Sequence, residues 1–208
     1  MGNSVLTVTS SGPNINFSIT SVSTSFSGNR LVLYFDSKSG GSPSTTSFTD
    51  YGDQSRVAVS GATATSRSVA SFPAGFGADF GISVNIGDFA ALFDLSTSPS
   101  FTFVPSGPIA GSGLGPITFS IPFTALGLPA SGGNFQFVGT LISNNAFRSN
   151  ETIGASVTAA APANPGDAPN AGFNGTTTFS AANLFVVPEP GSSMLAGLAL
   201  LGLLRRRR

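Results

Sequence analysis

Pro116-Ile117-Thr118-Phe119-Ser120-Ile121-Pro122-Phe123 alternates apolar and polar side chains through its interior. In an extended chain successive side chains point to opposite faces, so Ile117, Phe119, Ile121 and Phe123 share one face while Thr118 and Ser120 share the other. This is the pattern of a half-buried strand. Its prolines cannot donate to a ladder, so they place it at a sheet edge or mark its ends. The same period occurs near the start of the chain. Val5-Leu6-Thr7-Val8-Thr9 is followed, across Ser10-Ser11-Gly12-Pro13-Asn14, by Ile15-Asn16-Phe17-Ser18-Ile19-Thr20-Ser21-Val22. This reads as two half-buried strands joined by a turn.

Leu31-Val32-Leu33-Tyr34-Phe35 is a continuous apolar run of strand length, which predicts a central strand buried on both faces. Further strands are predicted at residues 56–60 (Arg56-Val57-Ala58-Val59-Ser60), 80–86, 90–95, 101–104, 134–142, 176–180 and 184–187. Residues 36–51 and 159–175, rich in small and turn-forming residues, read as long loops, the first on the surface. Residues 124–129 read as a single helical turn. No window before residue 192 carries a sustained 3.6-residue apolar stripe. The expected fold is therefore all-β, an antiparallel β-sandwich of about ten strands. Its core is filled mainly by the nineteen phenylalanines, with Phe35, Ile117, Phe119, Ile121 and Phe137 among the core residues.

A chain of 208 residues is enough for one domain with a sizeable core. Charged residues make up only 9% of it, against about 25% in ordinary domains, which fits an extracellular setting. Before residue 187 there are five cations (Arg30, Lys38, Arg56, Arg67, Arg148) and eight acids, a net charge near −3. With no basic stripe to track a phosphate backbone, nucleic-acid binding is not expected. There is no cysteine, so disulfides contribute nothing.

The chemistry is bounded by what the chain lacks. Without His or Cys there is no Ser-His-Asp triad, no Cys-His pair and no zinc site with the usual ligands. Paired carboxylates of the glycosidase type remain, as the least favoured reading. Asp36, Asp50 and Asp53 form the one acidic cluster that can be named, a weak calcium candidate set whose simpler reading is as turn residues bonding their own backbone. Gly75-Phe76-Gly77-Ala78-Asp79-Phe80-Gly81 begins like a phosphate-binding run but leads into a strand, and so reads as a turn. Asn16, Asn150 and Asn174 open glycosylation-type triplets, which are common by chance in a chain rich in Ser and Thr. No cofactor and no enzymatic activity are expected.

Tyr34-Phe35-Asp36, then Asp50-Tyr51-Gly52-Asp53, then Phe119-Ser120-Ile121-Pro122-Phe123-Thr124-Ala125-Leu126-Gly127-Leu128 resemble landmarks of carbohydrate-binding module family 9 and DOMON-related β-sandwiches, over residues 30–150. The resemblance implies a carbohydrate- or ligand-binding module. The chain departs from the sugar binders in having no tryptophan and two tyrosines, which weakens any platform for stacking a sugar ring.

The C-terminal end has a different character. Val187-Pro188-Glu189-Pro190-Gly191 is followed by thirteen uncharged residues, mostly Leu, Ala and Gly, at 192–204, and then by Arg205, Arg206, Arg207 and Arg208. Prolines at 188 and 190 prevent continuation of a strand and predict an extended, exposed segment. As a helix the apolar stretch spans roughly 20 Å, short of the roughly 30 Å hydrocarbon core. Snorkelling arginines make up part of the difference and favour the cytoplasmic side. These three parts, in this order, resemble the PEP-CTERM sorting signal of Gram-negative bacteria. The resemblance implies processing near the motif by a membrane-embedded exosortase, a short C-terminal transmembrane helix at 192–204, and cytoplasmic retention by the four arginines. The expected division is a β-sandwich ectodomain at 1–186 and a sorting signal at 187–208. It also implies an inner-membrane-anchored precursor with a periplasmic ectodomain, delivered to the cell surface or a secreted extracellular polysaccharide matrix. The alternative is a carbohydrate- or ligand-binding module kept as an anchored periplasmic or surface protein. Met1-Gly2-Asn3-Ser4-Val5-Leu6-Thr7-Val8 shows neither a basic nor an apolar signal-peptide region, so a true start further upstream is expected.

Overall fold

The computed structural model describes residues 5–20, 29–85, 89–105, 109–110, 116–153, 157–159 and 175–187. Fourteen strands occur among them, mostly in antiparallel sheets, as an all-β sandwich requires. The first sheet holds β1 (Val5–Ser11), β2 (Asn14–Thr20), β8 (Ile109–Ala110) and β9 (Ile117–Pro122), in the order β1-β2-β9-β8. Gly12, with φ of 55°, makes the tight β1–β2 connection that a residue bearing a Cβ adopts poorly. Pro122 ends β9 and leads into a 3-10 turn at Phe123–Leu126, closed by Gly127 in the left-handed conformation. The single helical turn expected at 124–129 thus starts one residue earlier and ends at Leu126, because Gly127 closes it.

The central sheet contains β3 (Asn29–Asp36), β5 (Phe80–Val84), β6 (Ala90–Asp94), β7 (Thr102–Val104), β10 (Phe135–Ser143) and β11 (Arg148–Ile153), in the order β11-β10-β3-β5-β6-β7. β14 (Asn183–Phe185) also pairs with β10. Leu31, Val32, Leu33, Tyr34 and Phe35 of β3 are all fully buried, because each face of this sheet carries its own core. On one face Leu31, Leu33, Phe35, Phe80, Ile82 and Phe137 pack with Ile15, Phe17, Ile19, Ile117, Phe119 and Ile121 of the first sheet. Phe17 and Phe119, directly opposite in register, stack at 4.8 Å, and Phe17 meets Phe35 across the sandwich at 5.8 Å.

On the other face Val32, Tyr34, Phe93 and Val138 are covered by Ala58, Val59, Phe48, Phe72, Phe76, Phe101 and Phe179. This covering layer was not legible in the sequence. Residues 56–60 are not a strand: they belong to the helix α1 (Gln54–Ser60). Asp53 caps its first turn, accepting from Ser55 N at 2.8 Å and Arg56 N at 2.9 Å, and Gly61 closes it in the left-handed region. Val57, Ala58, Val59 and Ser60 are all buried, so so short a helix shows no amphipathic stripe and looks like a buried strand. The helix lies so near β5 that a Cβ at Gly81 would sit 2.7 Å from Val59 Cγ1.

The segment 36–51 departs from a simple surface loop in the same way. Thr45 and Phe48 are fully buried, and Thr45 N donates to Ala70 O while its Oγ1 accepts from Ala70 N. Arg67 donates to the carbonyls of Thr45, Thr46 and Phe48 and holds the loop inward. A small third sheet, β12 (Val157–Ala159), β13 (Thr176–Phe179) and β4 (Val69–Ser71), completes this layer, with β13 and β4 parallel.

Candidate functional site

The sorting segment meets the folded body at Val187. This residue is buried, and the chain before it is tied down by pairing of β14 with β10. A Cβ on Gly132, whose φ is 105°, would lie 2.5 Å from Val187 Cγ1, so a glycine is what lets Val187 settle there. Pro188, Glu189, Pro190, Gly191, the apolar stretch at 192–204 and Arg205, Arg206, Arg207 and Arg208 lie outside the described residues. Among the described residues no helix is long and apolar enough to cross a membrane.

The three acids named as calcium candidates are each engaged by protein groups, Asp50 and Asp53 around a shared Arg56 and Asp36 elsewhere. Asp50 accepts from Phe101 N at 2.7 Å and pairs with Arg56 Nε at 3.1 Å, while Asp53 caps α1 and pairs with Arg56 Nη1. Burial pushes the Asp53 carboxyl upward, but the Arg56 and Ser55 N–H groups and the Arg56 guanidinium outweigh it and hold the pKa below the usual value. Asp36 instead accepts from Gly77 N at 3.1 Å. Burial raises its pKa, Gly77 opposes the rise, and nearby Asp79 adds to it. No group of three acids positioned to hold a metal occurs among the described residues.

A second set of polar residues does converge. Asp79, nearly buried, accepts from Ser37 N at 2.9 Å and Lys38 N at 2.8 Å through one oxygen, fixing the turn that leaves β3. Lys38 lies 4.2 Å from the centre of the Phe80 ring and 3.9 Å from Asp94. Together with Ser39, Ser42, Ser96 and Ser98, Lys38 and Asp79 line a cleft of about 390 Å³. The cleft offers hydroxyls, one ammonium and a carboxylate, which suits hydrogen bonding to a polar ligand. On β7 and the turn before β6, Phe103 and Phe89 stack at 6.3 Å and are each about half exposed.

The glycine run at 75–81 is a turn feeding β5, as read: Phe76 N donates to Pro73 O and Gly75 has φ of 83°. Asn16 Oδ1 accepts from Ser120 Oγ at 2.7 Å on the β2–β9 pair, so that amide is part of the sheet.

Residues 186–208 match the family model described as the PEP-CTERM protein-sorting motif. The chain therefore carries that motif, as its tripartite end indicates. A search of the curated proteins and of the solved structures found no match, and the resemblance to carbohydrate-binding and DOMON-related sandwiches is not confirmed.

Proposed function

We propose that this chain is an exported bacterial surface or extracellular-matrix protein whose sandwich is cargo and whose end is a sorting signal. The observation that carries this reading is the match of residues 186–208 to the PEP-CTERM motif. In this reading the apolar stretch at 192–204 holds the precursor in the inner membrane with the sandwich in the periplasm. Arg205, Arg206, Arg207 and Arg208 keep the end on the cytoplasmic side. An exosortase-type enzyme then acts at the segment from Val187 to Gly191, and the sandwich passes to the surface or to the polysaccharide matrix. The protein is a substrate of processing and has no catalytic role of its own.

The test is the mass of the protein recovered from cells with and without the processing enzyme. The four arginines are expected to be lost only where the enzyme is present. A chain that keeps all four in both strains reduces the segment to an anchor and overturns the reading.

The cleft beside Lys38 and Asp79 favours a second reading, a carbohydrate- or ligand-binding module. Its hydroxyl and charged lining supports it, and so does the half-exposed Phe89–Phe103 pair. Retention of the full chain on extracellular polysaccharide, lost on Lys38→Ala with Ser96→Ala, is the result expected if the cleft binds. Equal retention of the variant removes this reading.

A further inference from the structure

The edges of the three sheets are treated very differently. An edge strand presents unpaired N–H and C=O groups, and proteins blunt such edges by keeping them short, charged, bulged or interrupted by proline. Most described edges are short: two residues in β8 and three each in β4, β7, β12 and β14. β11 is longer, with six residues, and it carries Arg148 and Glu151. β1 has none of these protections. Its seven residues, Val-Leu-Thr-Val-Thr-Ser-Ser, contain no charge and no proline, and its register with β2 runs without a bulge from Val5 to Ser11. No described strand pairs with its outer edge.

We infer that β1 is an assembly edge that pairs antiparallel with β1 of a second copy of this chain, joining two four-stranded sheets into one of eight strands. A second copy is the occupant that the strand itself specifies. An uncharged edge has no charge with which to select a charged peptide, whereas two identical uncharged strands meet about a two-fold axis with no repulsion. Full overlap sets Val8 opposite Val8, Thr7 opposite Thr9, Leu6 opposite Ser10 and Val5 opposite Ser11.

The side-chain period makes this register self-consistent. Leu6 and Val8 are only partly buried where they pack on the edge of the core, and they stay on the core side in both copies, so each copy covers the other's edge. Val5, Thr7 and Thr9 stay on the outer face, where Thr–Thr and β-branched cross-strand pairs are favourable.

The chain contains no cysteine, so a single introduced thiol reports its own neighbours. Full-length Thr7→Cys and Thr9→Cys, carrying tags of different size and held in a non-ionic detergent, are mixed and mildly oxidised. The two positions face each other in the mixture within disulfide reach, whereas in either variant alone the two thiols are offset by two residues along the strand. The expected result is a mixed dimer formed at least about tenfold faster than either homodimer. A second full-length variant, Thr7→Lys with Thr9→Lys, puts like charges opposite one another at exposed positions. It is expected to sediment as a monomer, with its far-UV circular dichroism unchanged, at concentrations where the unaltered chain is dimeric. Equal cross-linking in all three samples, no cross-linking in any, or unchanged association of the lysine variant each overturns the inference.

Discussion

Tyr34→Phe is a demanding test of the covering layer, because it removes one oxygen and no ring. The Tyr34 hydroxyl is fully buried, donates to Val59 O of α1 at 2.6 Å and accepts from Arg148 Nη2 at 2.9 Å. Burial pushes its pKa above the ordinary phenol value, and the Arg148 guanidinium opposes that rise, so it is a neutral donor throughout the physiological range. Arg148 is itself only 3% exposed, and its Nε and Nη1 have no hydrogen-bond partner among the described residues. Losing the hydroxyl leaves a buried carbonyl and a buried cation unsatisfied, each costing about 1 to 3 kcal/mol, so the expected loss is about 2 to 6 kcal/mol. The guanidinium also stands 5.6 Å from the ring centre, a contact that phenylalanine keeps. Arg148→Met in the Tyr34→Phe background removes the stranded cation, and the double variant should recover at least about 1.5 kcal/mol of the single loss. Urea unfolding of the full chain in a non-ionic detergent, followed by far-UV circular dichroism, measures all three. A Tyr34→Phe cost below about 1 kcal/mol, or a double variant no more stable than Tyr34→Phe, refutes the view that this hydroxyl joins α1, β3 and β11.

Phe119→Ala tests the other core: a buried ring stacked on Phe17 should cost about 3 to 5 kcal/mol, or roughly 6 to 20 °C in melting temperature, and an unchanged melting temperature removes that face from the core. Asp53→Ala should cost about 0.5 to 2 kcal/mol through loss of the helix cap, read by urea unfolding at pH 7. Because the folded pKa of Asp53 is lowered, its contribution is present above the ordinary carboxylate value and is lost as pH falls through the folded value. The Asp53→Ala penalty should therefore shrink below about pH 4, and more weakly in high salt, since the side chain is 48% exposed. A penalty independent of pH refutes the ionic part of the cap.

Two-residue periodicity revealed the sheets wherever one face is apolar and the other is not. Ile15, Phe17 and Ile19, and Ile117, Phe119 and Ile121, fall on the core side as read, and Leu31 to Phe35 is buried on both faces as its unbroken apolar run implies. What failed was the layer held by single buried residues and not by a periodic face. Phe48 and Thr45 sit in a polar stretch whose order comes from Ala70 and Arg67, partners about twenty residues away that no local pattern announces. Helix α1 does carry a local signal: Asp53 before it and Gly61 after it are a cap and a stop at the right spacing for seven residues. The acidic cluster was half legible. Asp50 and Asp53 do come together, but around Arg56, whereas Asp36 belongs with Gly77 and Asp79 at the end of the β3–β5 pair. The sorting motif was readable because its three parts are contiguous and need no fold to bring them together.

That contiguity conceals one structural constraint, at the residue where the signal and the sandwich overlap. Val187 is 9% exposed and seated against Gly132, and Pro190 is the third residue after it. A chain covers at most about 3.3 to 3.6 Å per residue, so an enzyme acting on Pro188, Glu189 and Pro190 works within roughly 11 Å of the sandwich surface. If it must also grip Val187, that side chain has to leave its seat, at a cost of about 1.5 to 3 kcal/mol, which lowers the accessible fraction by roughly ten- to a hundredfold. Gly132→Ala tests this directly. The added methyl would stand 2.5 Å from Val187 Cγ1 and, at a φ of 105°, would strain the turn as well, so Val187 is displaced from the margin of the first core while the second core is untouched. Processing of the variant in cells that contain the enzyme is expected to be several-fold faster than that of the unaltered chain, followed by pulse-labelling and the mass of the product. A rate equal to or slower than that of the unaltered chain would show that the enzyme reads the segment from Pro188 onward and that the seat of Val187 has no part in timing release.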